Sequence, residues 1–150
     1  MRYRHSWFFL LILLLLTPSL PPAAAATQPL PSSRAIALST DGQTLLAVNP
    51  DSNSLTLVDT TTQAVIAELP VGRDPRTVAV SGGHAYIANR GSRSVSVVDI
   101  SLRQTVAAID VGYRPYGVVA DPIKGRIYIS VQGEDRIVVL DSVPFLVAWR

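Results

Sequence analysis

The sequence contains no cysteine. That excludes disulfides, thiolate nucleophiles and cysteine-based zinc sites, and also a lipid or covalent haem attached through a cysteine. Histidine is nearly absent too, with only His5 and His84. A histidine-cluster metal site is excluded with it, and a serine–histidine–acid mechanism would rest on His84 alone. There is no P-loop and no G-x-G-x-x-G fingerprint. Charged residues make up only 16% of the chain. The formal charge of +2 owes much to Arg2 and Arg4. Without them, eleven Arg and Lys face eleven Asp and Glu, so the pI near 9.3 is no signature of nucleic-acid binding. No cofactor is expected from these residues.

Long apolar runs are scarce as well, with one exception at the N-terminus. Arg2, Arg4 and His5 precede an unbroken apolar run from Trp7 to Leu16. Pro18, Pro21, Pro22 and the small residues Ala23 to Ala26 follow. Basic, apolar, then small is the layout of a secretory signal peptide. Ten helical residues rise about 15 Å, half of a hydrocarbon core of about 30 Å. Cleavage before Thr27 is expected, giving a periplasmic or secreted protein with no membrane anchor. No twin arginine directs it to another route. Residues 1–26 are thus read as leader, and the polar, proline-rich residues 27–33 as linker.

Beyond the linker the chain repeats. Val58-Asp59 recurs as Val98-Asp99 and as Leu140-Asp141, at intervals of 40 and 42 residues. Val71-Gly72-Arg73-Asp74-Pro75 recurs as Val111-Gly112-Tyr113-Arg114-Pro115. Leu46–Asn49, Tyr86–Asn89 and Tyr128–Val131 align with one another. Each unit holds four short Val-, Ile- and Ala-rich runs. In the second unit they are Thr77–Ser81, Ala85–Asn89, Ser94–Asp99 and Thr105–Val111, separated by glycine-, serine- and arginine-bearing turns. Ser94-Val95-Ser96-Val97 alternates with the period of a strand. Four antiparallel strands per forty-residue unit predict an all-β chain of β-propeller blades. The blades fall at about 34–74, 75–114 and 115–150.

The forms YIAN at Tyr86–Asn89 and SVSVVDI at Ser94–Ile100, with the VG-x-x-P junctions at Val71–Pro75 and Val111–Pro115, resemble the YVTN-type β-propeller repeat family of exported, YncE-like proteins. The resemblance covers essentially the whole of the chain after the leader. It implies a longer, closed ring, as in seven-bladed relatives; self-association is the other way for three blades to complete one. Val131 departs from the motif where an asparagine stands in the other units, so a polar strand-end cap is not expected there.

Most recurring residues have structural tasks. Gly72 and Gly112 are expected to take backbone angles closed to other residues. Pro75 and Pro115 fix the start of the innermost strands. Asp59, Asp99 and Asp141 end strands and bond turn amides. His84 is expected as an exposed turn residue. Apolar side chains on the outer faces of the end blades, among them Ile36, Leu38, Val118 and Val119, are expected to be exposed.

In a blade, the connectors between strands two and three and between strand four and the next blade emerge at one end. That end would carry Arg73, Arg76, Arg90, Arg93, Arg114 and Arg136, with Asp51, Asp74, Glu134, Asp135, Tyr113 and Tyr116. Arginine forks to carboxylates and phosphates, and tyrosine offers amphipathic area. Arg73, Arg76, Arg90, Arg93, Tyr113, Arg114 and Tyr116 are therefore the candidate surface for a protein partner or an anionic ligand. A non-catalytic binding or scaffold module is the reading this favours. Two alternatives follow from the resemblance: a lactonase or lyase with its site in the central channel, and a propeller subunit of a periplasmic quinone or haem dehydrogenase. The innermost strands, read as Ala35–Ser39, Thr77–Ser81 and Gly117–Asp121, offer only Asp121 for channel chemistry. From Val143 onward the repeat is lost, which leaves an atypical fourth strand, a lost reading frame or a truncated chain.

Overall fold

The computed structural model describes residues 34–142 and the backbone of 147–149. The expected leader, its cleavage site and the linker lie outside these residues. Blade one comprises β1 (Ile36–Leu38), β2 (Thr44–Asn49), β3 (Ser54–Asp59) and β4 (Val65–Pro70). Blade two comprises β5 (Pro75–Ser81), β6 (His84–Asn89), β7 (Ser94–Asp99) and β8 (Gln104–Asp110). Blade three comprises β9 (Pro115–Asp121), β10 (Arg126–Val131), β11 (Arg136–Asp141) and β12 (Val147–Trp149). Each is a four-stranded antiparallel sheet in simple sequence order. The only helical element described is a 3₁₀ turn at Gln132–Glu134.

The core lies between the blades rather than within one. In blade two, alternate residues of each strand point to opposite faces. Val78, Ala85, Ile87 and Val98 pack on Leu46, Val48, Leu55 and Leu57 of blade one. Ala79, Tyr86, Ala88, Val95 and Val97 pack with Val118, Ala120, Ile127, Ile129, Val138 and Leu140 of blade three. Polar bonds reinforce both ends of the second interface. The Thr77 hydroxyl donates to the Tyr116 carbonyl, and the Tyr86 hydroxyl donates to the Ser142 carbonyl at 2.8 Å. Burial pushes the Tyr86 phenol up to about 12.

A second layer of order comes from short side chains at the loop end. Asn49 Nδ2 donates to Ser54 and Thr56, and Asn89 Nδ2 donates to Ser94 and Ser96. Ser96 Oγ in turn accepts the Gly72 amide at 3.2 Å, tying blade one's exit to blade two. In blade three Val131 is buried in the apolar core instead, and no such cap forms. At this junction the Gly112 amide donates to Asp110 Oδ1 instead, and Arg136 donates to the Val111 carbonyl at 3.2 Å.

Several expectations are corrected. Gly112 has a φ of 107°, but Gly72 is not among the residues at positive φ. Gly72 is needed for space: a Cβ there would fall 2.6 Å from the Asn89 carboxamide and collide with Ser92 Oγ. Val118 is fully buried because it faces blade two, and Val119, one residue on, is half-buried on the outer face. Ile36 and Leu38 are exposed as expected, each at 54%, whereas Val78, the partner position in blade two, is at 1%. His84 opens β6 and is half-buried, with Nε2 3.7 Å from Asp99, because its own strand pairs with β7 at that register. The fourth strand of blade three exists despite the lost repeat, as the short β12 paired with β11.

Asp59 and Asp99 do end their strands as turn caps. Asp59 Oδ1 accepts the Thr61 and Thr62 amides, and Asp99 Oδ1 accepts the Leu102 amide and the Ser101 hydroxyl. For Asp141 the following turn lies outside the described residues. The backbone amide of Thr62 lowers the Asp59 pKa, and that of Leu102 lowers the Asp99 pKa. A carboxyl depressed in the folded state binds fewer protons there than in the unfolded chain. Its contribution is present above the ordinary value of 3.8 and lost as pH falls through the folded value. Thermal stability is therefore expected to begin to fall as pH drops to about the reference value of 3.8 and to keep falling below it. Asp59→Asn with Asp99→Asn should flatten that decline in melting experiments; a slope parallel to the parent's would remove the caps as its cause.

Candidate functional site

The connectors at the loop end interlock in a repeating way. The Arg90 and Gly91 amides donate to the Asp74 and Arg73 carbonyls, and the Gln132 and Gly133 amides donate to the Arg114 and Tyr113 carbonyls. Each exit segment is thus clasped by the next blade's strand two-to-three turn. Within a blade, the Val71 and Val111 amides donate to the Asn53 and Arg93 carbonyls. The geometry forces the residue before each β3-type strand into the left-handed region: Asn53 at φ 55°, Arg93 at 62° and Asp135 at 49°. The residue before each blade-opening proline does the same, with Asp74 at 53° and Arg114 at 61°.

Two carboxylates organise the arginines. Asp74 Oδ1 lies 2.7 Å from Arg76 and Oδ2 lies 3.2 Å from Arg90. Glu134 Oε2 lies 2.6 Å from Arg136 Nη2, while Oε1 accepts the Tyr113 amide. That amide, first, and Arg136, second, hold the Glu134 pKa below its ordinary value. Arg73, Arg93 and Arg114 have no carboxylate within 4.0 Å among the described residues. Arg73 Nη2 donates to the Gly91 carbonyl at 3.3 Å. The Arg114 guanidinium sits 6.0 Å from the Tyr113 ring centroid, at the outer limit of cation–π contact.

Of the seven expected site residues, the structure gathers four. Arg90, Arg93, Tyr113 and Arg114 line one open cleft of about 470 Å³ with Asp74 and Gly91. Arg73, Arg76 and Tyr116 do not line it, although Arg73 bonds its Gly91 and Arg76 its Asp74. Arg76 and Tyr116 lie on β5 and β9 rather than on loops, because these strands begin at Pro75 and Pro115. The innermost strands therefore carry Arg76 as well as Asp121. Asp74 was readable only as one of several rim acids; its role as the hub between Arg76 and Arg90 needs the fold. At the opposite end, a cleft of about 350 Å³ between blades one and two is lined by turn residues including Asp41, Ser101 and Arg103. Among the described residues no three His, Cys, Asp or Glu side chains group as a metal site.

Three four-stranded antiparallel sheets, stacked through their inner strands with the apolar core between them, define a protein of β-propeller blades. Residues 72–102 match the LVIVD repeat. The chain is similar to Kuenenia stuttgartiensis hydrazine synthase, with 33% identity and a TM-score of 0.72 over 86% of this chain and 38% of that one. Its fold is also similar to dihydro-heme d1 dehydrogenase NirN in complex with DHE, with 19% identity and a TM-score of 0.67 over 77% of this chain and 26% of that one. The PE-PGRS family protein PE_PGRS18 of Mycobacterium tuberculosis (strain ATCC 25618 / H37Rv) is 42% identical over 53 residues, 35% of this chain and 12% of that protein. The chain spans well under half the length of each of these proteins.

Proposed function

We propose that this chain is an exported, non-catalytic β-propeller module that works by binding, with the arginine-rich loop face recognising a protein partner or an anionic ligand. The observation that carries the reading is the division of the arginines on that face. Arg76 and Arg90 share Asp74, and Arg136 pairs with Glu134, while among the described residues Arg73, Arg93 and Arg114 have no carboxylate within 4.0 Å, Glu134 acting on Arg93 only at longer range. Unpaired guanidinium groups beside exposed tyrosine are what recognition surfaces use. The leader motif supports export, and the YIAN and SVSVVDI forms support a place among YVTN-type exported propellers.

Two results test this. Produced in a bacterial host, the chain should be recovered from the periplasm or medium with Thr27 as its first residue; intact Met1 in the membrane fraction would replace export by anchoring. A periplasmic partner captured by the parent should be lost by the Arg73→Ala, Arg93→Ala, Arg114→Ala variant at unchanged melting temperature. Equal capture would dismiss the loop face. Arg90 is left intact, since removing it would strip Asp74 of a counter-ion.

The similarity to hydrazine synthase favours a second reading, a propeller subunit of a periplasmic redox assembly. It requires a haem- or quinone-bearing chain to co-purify. Under either reading, the apolar outer faces of blades one and three suit further blades, from a longer ring or from a second copy.

A further inference from the structure

We propose that the loop-end cleft between the β6–β7 turn and the segment leading from blade two into blade three is a binding site for a small organic anion, its phosphate or carboxylate head held between Arg93 and Arg114 and its body against the Tyr113 ring. The inference rests on the reading of the loop face as a recognition surface and names the class of ligand. It comes from comparing two grooves built on one plan. In the first groove the left-handed positions are Asn53 and Asp74, and they close on each other: the Asp74 amide donates to Asn53 Oδ1 at 2.8 Å. In the second groove the same two positions are Arg93 and Arg114. Arginine has no acceptor to offer the Arg114 amide. The closing bond is not made, and the cleft lies open there.

The choice of residue also runs against local conformational preference. Asparagine and aspartate visit the left-handed region readily, whereas arginine is disfavoured there. Two such residues facing one cleft are the pattern of strain held at a functional position. Charge points the same way. Arg90, Arg93 and Arg114 line the cleft with Asp74, which is shared with Arg76, and the nearby Glu134, which acts on Arg93, is itself paired with Arg136. The surplus of positive charge calls for an anion, and the planar fork of arginine suits carboxylate or phosphate oxygens. At about 470 Å³ the cleft is larger than an inorganic anion needs and falls in the range of organic-ligand pockets. Tyr113, 51% exposed, supplies a face for an apolar or aromatic body.

The test is a titration of the purified chain with phenyl phosphate by calorimetry, at low salt and at high salt. Saturable one-to-one binding is expected, weakening with salt as screening requires. Phenol, which lacks the charge, should not bind, and benzoate against phenyl phosphate decides which head is preferred. Arg93→Asn with Arg114→Asp installs the first groove's pair. It should weaken phenyl phosphate at least tenfold while the melting temperature holds or rises. Arg103→Asn replaces another left-handed arginine, at φ 54° in a strand three-to-four turn at the opposite end, and should leave binding unchanged. Tyr113→Ala should weaken phenyl phosphate but not inorganic phosphate. Absence of saturation, or equal binding by the Asn/Asp variant and the parent, overturns the proposal. If phenyl phosphate fails while partner capture still depends on the arginines, only this inference falls; if both fail, the loop-face reading falls with it.

Discussion

Gly72→Ala is expected to destabilise the chain by about 3 kcal/mol, lowering the melting temperature by roughly 10 °C or more. The new Cβ would lie 2.6 Å from Cγ and Nδ2 of Asn89 and would overlap Ser92 Oγ. Asn89 is fully buried and cannot retreat to solvent. Overpacking of this kind costs about 1–3 kcal/mol. Displacing Asn89 also loosens its bonds to Ser94 and Ser96, and with them the Ser96 hydroxyl that accepts the Gly72 amide. Each lost bond at a buried site adds about 1 kcal/mol. Gly42→Ala is the control. Its φ is 72°, yet a Cβ there meets nothing within 4 Å, so strain alone should cost about 1–2 kcal/mol. Ser92→Gly should partly rescue Gly72→Ala by removing one of the colliding atoms. Equal losses for Gly72→Ala and Gly42→Ala in denaturant titrations would mean that backbone conformation, and not space, explains Gly72.

The same glycine shows how far the sequence could be read. Repetition at forty residues and alternation along Ser94–Val97 were enough for three blades of four strands, since a propeller blade is specified by local hairpins. The β5–β8 boundaries differ from the sequence reading by two residues at most. The reason for Gly72 was not legible, because the atoms that exclude a Cβ come from the next blade, 17 and 20 residues on. His84 was misplaced for a similar reason: its exposure is set by Asp99 across the β6–β7 pair. The loop face was legible as a collection of arginines, tyrosines and acids. Which arginines are free was not, for it depends on Asp74 reaching both Arg76 and Arg90. One clue was present in the sequence: Asn53 and Asp74 in the first unit become Arg93 and Arg114 in the second. It gained meaning only once all four were seen at positive φ.

Tyr86→Ala is expected to cost about 3–5 kcal/mol, the range for truncating a large aromatic side chain in a core. The side chain is fully buried between blades two and three, and its hydroxyl closes the far end of the interface on the Ser142 carbonyl at 2.8 Å. Tyr86→Phe keeps the packing and should lose only about 1 kcal/mol, for the carbonyl left without its donor. The informative comparison is with Tyr128. The register pairs Ala79 with Tyr86 and Val119 with Tyr128, so Tyr128 is the same position one blade later. It is half-buried, and with Val119 and Ile137 it borders an apolar groove of about 180 Å³ on the outer face of blade three. In an open stack Tyr128→Ala should cost less than about 1 kcal/mol, as surface changes do. If another blade covers that face, Tyr128 becomes a second Tyr86 and its truncation should cost as much. A blade supplied by a second copy would also make the melting temperature rise with protein concentration, because association stabilises by mass action. A small, concentration-independent loss in Tyr128→Ala beside a large one in Tyr86→Ala would leave the three blades standing alone, with the second interface carrying the fold.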